Sequence, residues 1–265
     1  MKKILSVLLG LVAVLALFAG CGGGGSSAKG LLTAGKLKVG SEIGYPPFEF
    51  FADDGTTPMG LDIDLAAEIA KELGVEVEFE NTAWDGIFSG LGIDKYDVVI
   101  SAVTITPERQ QTMEFSTPYI ENWQSIVVRK GGAPITSPEG LEGLNVGYQE
   151  ATTSFEYVSD LIDSGALSCS VFPYDKVINC FDDLRNGRLD AVVADSTVSE
   201  SYISKEPENF EISWHQKDEA GAEPERFGIA MKKGNTVLLE QVNAVLARLE
   251  ENGKLDEIRD AWLMG

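Results

Sequence analysis

The chain has 265 residues, 44% of them hydrophobic and 24% charged, a composition that folds and that excludes disordered and collagen-like chains. Asp plus Glu outnumber Lys plus Arg by 42 to 21, and the resulting charge of −21 repels phosphate backbones and argues against nucleic-acid binding. A single histidine and three cysteines (Cys21, Cys169, Cys180) cannot build a His-rich zinc site or a four-cysteine cluster, so neither metal nor cofactor is expected. The histidine, His215, stands in Ser213-Trp214-His215-Gln216 without a nucleophile signature and reads as a surface residue.

Met1-Lys2-Lys3 is a short positive segment ahead of the apolar run Ile4 to Phe18. That run falls short of the ~20 residues of a comfortable bilayer span. Leu17-Phe18-Ala19-Gly20-Cys21 follows and resembles a bacterial lipoprotein signal, in which Cys21 is lipidated and becomes the mature N-terminus. An ordinary signal peptide with an incidental Cys is the alternative. Residues 1–20 then form the signal and 21–35 a Gly/Ser-rich tether with a reach of about 20 Å. Nothing later in the sequence approaches a membrane span. The expected product is an extracytoplasmic, lipid-anchored monomer. Export also permits a disulfide between Cys169 and Cys180, with two buried thiols as the alternative.

The body alternates strand and helix. Leu37–Val39 reads as a strand. Leu61, Leu65, Ile69 and Leu73 mark a helix that Asp62 and Asp64 favour at its start and Gly74 stops. Val75, Val77 and Phe79 alternate with glutamates as a half-wet strand, a helix covers Asp85–Leu91, and Asp97–Ile100 is the next strand. After Pro118 the rhythm restarts with strands at Ser125–Val128 and Leu144–Tyr148, a helix from Phe155, and a strand at Asp190–Val193. Phe227–Met231 is a further strand, and helices cover Val237–Glu250 and Leu255–Leu263. Gly90 to Val99 and Asp183 to Val193 both read as helix end, turn, Asp and apolar strand, one unit in each half. The fold class is α/β.

In open α/β sheets ligands bind beyond the carboxyl ends of strands, at helix N-termini. Three loops qualify. In Ser101-Ala102-Val103-Thr104-Ile105-Thr106-Pro107-Glu108-Arg109, Thr106 is an N-cap with Pro107 at the first helical position. Arg109 then falls in the first turn, where the helix dipole disfavours a cation. It either awaits an anion or pairs in solvent with Glu108 or Glu114. In Gln149-Glu150-Ala151-Thr152-Thr153-Ser154, Thr153 and Glu156 have capping-box spacing, and the same amides and hydroxyls suit a carboxylate. The third loop opens at Asp195. Thr197 and Glu200 already fit a capping box there, which frees the Asp195 carboxylate to meet an ammonium. Arg for a carboxylate and Asp for an ammonium match the two ends of a free amino acid.

Tyr45-Pro46-Pro47-Phe48-Glu49, Gly60-Leu61-Asp62-Ile63-Asp64-Leu65, Ser101 to Arg109, Phe115-Ser116-Thr117-Pro118-Tyr119 and Asn186 to Asp195 together closely resemble the bacterial polar amino-acid binding proteins (family 3) of ABC importers. The resemblance runs from about Leu37 to Leu263. It implies a two-lobe periplasmic-binding-protein-like fold of type II, whose lobes close over one amino acid that is passed to a permease. Lobe 1 is expected at residues 36–120 plus 226–265 and lobe 2 at 121–225. The resemblance also implies that Arg109 forks onto the ligand carboxylate, a geometry Lys cannot reproduce. Thr104 and the backbone around Ala102, with Ser101, form a hydrogen-bonding shelf for carboxylate and ammonium, Thr153 and the amide beside it, with Thr152, add the second lobe's contribution to the carboxylate, and Asp195 takes the ammonium. Tyr45 and Trp84 line the side-chain pocket. The family usually has Gly where this chain has Ala151, and Ala resists the backbone angles Gly allows.

Glu42, at the pocket end of the first strand, either receives a cationic side chain or is a solvated loop carboxylate, and Gln149 is a neutral hydrogen-bonding group. Trp84 offers a face for a guanidinium. These point to arginine or lysine, with glutamine or cystine as the alternative ligands. A dehydratase-like enzyme on the same fold is the alternative of another class. It needs a poised acid or base, and the loops contain no Lys, His or Cys, so no enzyme activity is expected.

Overall fold

The computed structural model describes residues 28–263. The lipoprotein signal, Cys21 and the first part of the tether lie outside the described residues. From Ala28 onward the chain is attached to the body. Lys29 exchanges hydrogen bonds with Gln241 (3.0 and 2.9 Å), and the Leu32 amide donates to Asp97 at 2.5 Å.

The first half gives strands β1 (Lys36–Ser41), the hairpin β2 (Phe50–Phe51) and β3 (Pro58–Met59), β4 (Glu76–Asn81), β5 (Val98–Val99) and β6 (Met113–Phe115). Helices α1 (Leu61–Leu73), α2 (Trp84–Gly92) and α3 (Pro107–Thr112) lie between them. Strand β7 (Ile120–Asn122) leads across to β8 (Gln124–Arg129), β9 (Asn145–Gln149), β10 (Ser170–Tyr174), β11 (Ala191–Asp195) and β12 (Phe210–His215). Helices α4 (Thr153–Asp163), α5 (Val177–Arg185) and α6 (Ser196–Lys205) cover that second sheet. Strand β13 (Glu225–Phe227) returns to β14 (Ala230–Lys232), followed by α7 (Thr236–Glu251) and α8 (Lys254–Leu263).

Two five-stranded sheets result, in the orders β4-β1-β5-β14-β6 and β10-β9-β11-β8-β12. Each has three parallel strands joined through helices, then an antiparallel strand that has just crossed from the other lobe. The crossings themselves pair antiparallel, Glu225 with Asn122 and Phe227 with Ile120. The strand expected at Phe227–Met231 is therefore two strands. Phe227 ends a crossing, and the chain bends at Gly228 before β14 joins sheet 1.

The unit read once in each half recurs in space. Asp97 precedes β5 and accepts from the Lys38 amide of β1 at 2.8 Å, and Asp190 precedes β11 and accepts from the Asn145 amide of β9 at 2.9 Å. Each aspartate ties two parallel neighbours together where the ladder starts.

Alternation within the strands builds separate cores on the two faces of each sheet. In the second sheet Ile126, Val128, Ala191 and Val193 face α4, while Val127, Val192 and Ala194 face α5 and α6. Phe181 and Tyr202 stack there with centroids 3.8 Å apart. This layering corrects the expected disulfide. Among the described residues Cys169 and Cys180 are both free: the first packs in the α4-side core, the second in the α5-side core, with the sheet between them. His215 is likewise not a surface residue. It is 7% exposed at the end of β12, edge-on to Trp123.

Candidate ligand-binding site

The carboxyl ends of β1, β5, β9 and β11 converge where the lobes meet. Glu42, Tyr45, Trp84, Ser101, Ala102, Thr104, Arg109, Gln149, Thr152, Thr153 and Asp195 all line one cavity of about 300 Å³. A twelfth lining residue, Glu49, belongs to the Tyr45–Glu49 motif but carries no site role in the sequence.

Glu49 is held under the cavity by the chain around Gly60. Gly60 has φ +129°, and a Cβ on it would come within 2.1 Å of the Phe48 carbonyl oxygen. This close approach lets the first amides of α1 bond the Pro47 and Phe48 carbonyls (3.0 and 2.9 Å). Ser101 Oγ donates to Glu49 Oε1 at 2.7 Å and accepts from the Glu42 amide at 3.0 Å. The Ala102 amide, expected as part of a ligand shelf, donates instead to Asp62 Oδ2 at 2.7 Å, beside the Tyr119 hydroxyl at 3.0 Å. Among the described residues Glu49 Oε2 and Asp62 Oδ1 are buried without a donor, and the two side chains are near enough for a proton on one carboxyl to serve the other. Burial, then the Asp62 charge, pushes the Glu49 carboxyl well up, so Glu49 is the acid that carries this proton. Burial also raises Asp62, to about 6.

Arg109 sits in the first turn of α3, whose cap is Thr106 Oγ1 accepting from the Arg109 amide at 3.1 Å. It pairs with neither Glu108 nor Glu114. Its guanidinium donates to the Thr104 carbonyl at 3.0 Å and to the Ala151 carbonyl of the other lobe at 3.4 Å. The rings of Trp84 and Phe88 flank it at 5.6 and 5.2 Å. The cation on the Trp84 ring is thus Arg109 itself, and the indole N–H is bonded to the Ala151 carbonyl at 2.9 Å. Ala151 accepts both bonds in a left-handed conformation, φ +57°, the angle at which Gly is usual.

The cap of α4 is Thr152, one residue earlier than the capping-box spacing indicates. Its Oγ1 accepts from the Phe155 amide at 3.3 Å and donates to the Gln149 carbonyl at 2.7 Å. Thr153 is the first helical residue, and its hydroxyl has no capping duty; it accepts from Gln124 Nε2 at 3.3 Å and lies 3.5 Å from Thr104 Oγ1. Thr197 does not cap α6 either: its hydroxyl donates to Asn122 Oδ1 at 3.2 Å. Asp195 occupies the cap position without a capping bond. Its carboxylate accepts from Tyr45 Oη (2.6 Å), Asn122 Nδ2 (2.7 Å) and Gln124 Nε2 (3.1 Å). Burial, then the charge of Glu225, raises it.

Glu42 is 5% exposed, so it is no solvated loop carboxylate. One oxygen accepts from Gln149 Nε2 across the cleft at 2.8 Å, and the other, Oε1, has no hydrogen-bond partner. Burial lifts this carboxyl to about 7. Among the described residues neither Glu42, Arg109 nor Asp195 forms an ion pair, and His, Cys, Asp and Glu form no cluster able to hold a metal ion. Gln124, Asn122 and Glu225 also escaped the sequence reading. They stand on or beside the crossing strands, and only the tertiary fold brings them to Asp195.

Residues 37–265 match the model of the bacterial extracellular solute-binding proteins, family 3. The chain belongs to this family. Among curated members it is 34% identical over 260 residues to the L-cystine-binding protein TcyJ of Escherichia coli (strain K12), covering 96% of this chain and 94% of that one. It is also 34% identical over 237 residues to ABC transporter arginine-binding protein 1 of the same organism, covering 88% and 93%. A solved ancestral arginine-binding protein bound to arginine superposes with a TM-score of 0.79 at 41% identity, over 86% of this chain and 98% of that one. This family-3 protein therefore has the two-lobe fold of amino-acid binding proteins, and no described helix is long and apolar enough to cross a membrane.

The buried carboxyls give the family-3 cavity a stability signature. Glu42 and Asp62 have folded-state values above their unfolded ones, at about 7 and 6, so the folded chain binds more protons than the unfolded chain between pH 4.5 and 7. Stability must then fall as pH rises through that window. Glu49 and Asp195 are raised as well, so urea unfolding of the ligand-free protein is expected to give a free energy at least about 2–4 kcal/mol lower at pH 7.5 than at pH 5. In the Glu42→Gln variant this difference shrinks.

Proposed function

We propose that this chain captures a free basic amino acid outside the cytoplasm, arginine ahead of lysine, and delivers it to the permease of an ABC importer. The observation that carries the reading is Glu42, a buried carboxylate facing the cavity with Oε1 unpartnered. A buried carboxylate left without a cation costs several kcal/mol, and a guanidinium supplies charge and two donors at once. Arg109 and Asp195 take the α-carboxylate and the α-ammonium at the other end. Relatives named for arginine support the choice. Gln149 gives little support to glutamine, because its amide is already committed to Glu42 and to the Asp175 carbonyl at 3.0 Å. The cavity lining includes no Lys, His or Cys, which favours binding without chemistry.

Residues 1–21 complete the reading. Cys21, placed behind a short apolar run, anchors the monomer to the membrane through a lipid. Fatty-acyl metabolic labelling is expected to mark the wild type and not Cys21→Ser, and labelling of both removes Cys21 as the acceptor.

Calorimetry decides the ligand class. Glu42→Gln is expected to weaken arginine on the order of 100-fold, while changing any glutamine binding less than about five-fold. A wild type that binds glutamine or cystine and ignores arginine contradicts the cationic reading.

A further inference from the structure

Glu225 stands on the returning crossing, outside the cavity wall, facing an open cleft on the far side of Thr104 and Thr153. Gln124 Nε2 approaches both of its oxygens at 3.1 Å, Thr153 Oγ1 lies 3.1 Å from Oε2, and Thr104 Oγ1 lies 3.4 Å from the same atom. Gln124 Oε1 in turn accepts from Ser154 Oγ at 2.7 Å. Burial raises the Glu225 carboxyl, and the donors around it, Gln124 first and then Thr153, oppose that shift and favour the ionised form that only accepts.

In that form it accepts from the hydroxyls of Thr153 and Thr104. A hydroxyl has one proton, and once that proton is spent on Glu225 the oxygen offers only lone pairs to the cavity. Thr104 and Thr153 both line the cavity, with Asp195. Gln124 Nε2 bridges to Asp195 Oδ1 at 3.1 Å, so one amide holds both carboxylates in place.

We infer that Glu225 is a positioning residue that, from the crossing strand, turns the hydroxyls of Thr104 and Thr153 into acceptors and so makes the site demand an α-ammonium group. The inference rests on the amino-acid reading above. It also couples selection to closure. Thr104 belongs to lobe 1 and Thr153 to lobe 2, and one carboxylate reaches both hydroxyls only while the lobes are together.

The test compares arginine with 5-guanidinopentanoic acid, the same molecule without its α-amino group. Binding is measured by calorimetry for arginine and by competition at millimolar concentration for the analogue, on wild type and Glu225→Gln. Arginine is expected to weaken about tenfold or more in the variant, and the analogue less than about twofold. Equal losses for both, or no loss for arginine, overturn the inference. A second cycle needs arginine alone. Combined with Thr104→Val, Glu225→Gln is expected to cost less than it does in the wild type, because only its Thr153 arm remains, and fully multiplicative losses overturn the inference. If Glu225→Gln does not fold, Glu225→Asp is read by the same criteria. If the wild type ignores arginine, the ligand proposal fails by itself. The comparison then passes to the amino acid that binds and its des-amino counterpart, with the same expectations.

Discussion

Each buried charge in the cavity is met by neutral groups of its own chain. Carbonyls of Thr104 and Ala151 face the Arg109 guanidinium. Hydroxyl and amide donors face Asp195, and one amide faces Glu42. Neutral hydrogen bonds return about 1 kcal/mol each, less than burying an unpaired charge costs. The site is therefore held in a costly state whose complement is a molecule with one anionic and two cationic groups in a fixed order. Two lobes are the means of building it. The three charges follow the ends of β1, β5 and β11, strands of two different sheets.

The same bonds describe how the lobes are joined. Tyr45 to Asp195, Gln149 to Glu42, and Trp84 with Arg109 to the Ala151 carbonyl all span the cleft. Separating the lobes breaks these and leaves the short antiparallel ladder of β7 with β13 in place. Ala151 carries two of these bonds from a conformation that costs an L-residue about 1–2 kcal/mol, so local strain is traded for contact between lobes.

Much of this was legible in the sequence. Strand ends, loops and the Thr106-Pro107 cap follow from periodicity and capping chemistry, which are local. Asp195 could be singled out because capping offered it no clear duty, and in the fold it indeed caps nothing. What escaped is long-range. Capping-box spacing chose Thr153 where Thr152 does the work, because spacing alone cannot tell neighbouring threonines apart. Cys169 and Cys180 are close in sequence and divided by a sheet. His215 looked polar enough for the surface, and Glu225 carries no local signal, since its partners lie 72 to 121 residues away.

The central claim is that the ligand supplies opposite charge to carboxyls that burial has pushed toward protonation, Glu42 to about 7 and Asp195 upward. Binding must then drive protons off. Titration calorimetry with arginine in two buffers of different ionisation enthalpy counts them. The account predicts release of about one to two protons per arginine at pH 6 and close to none at pH 8. No release at pH 6, or proton uptake there, contradicts it.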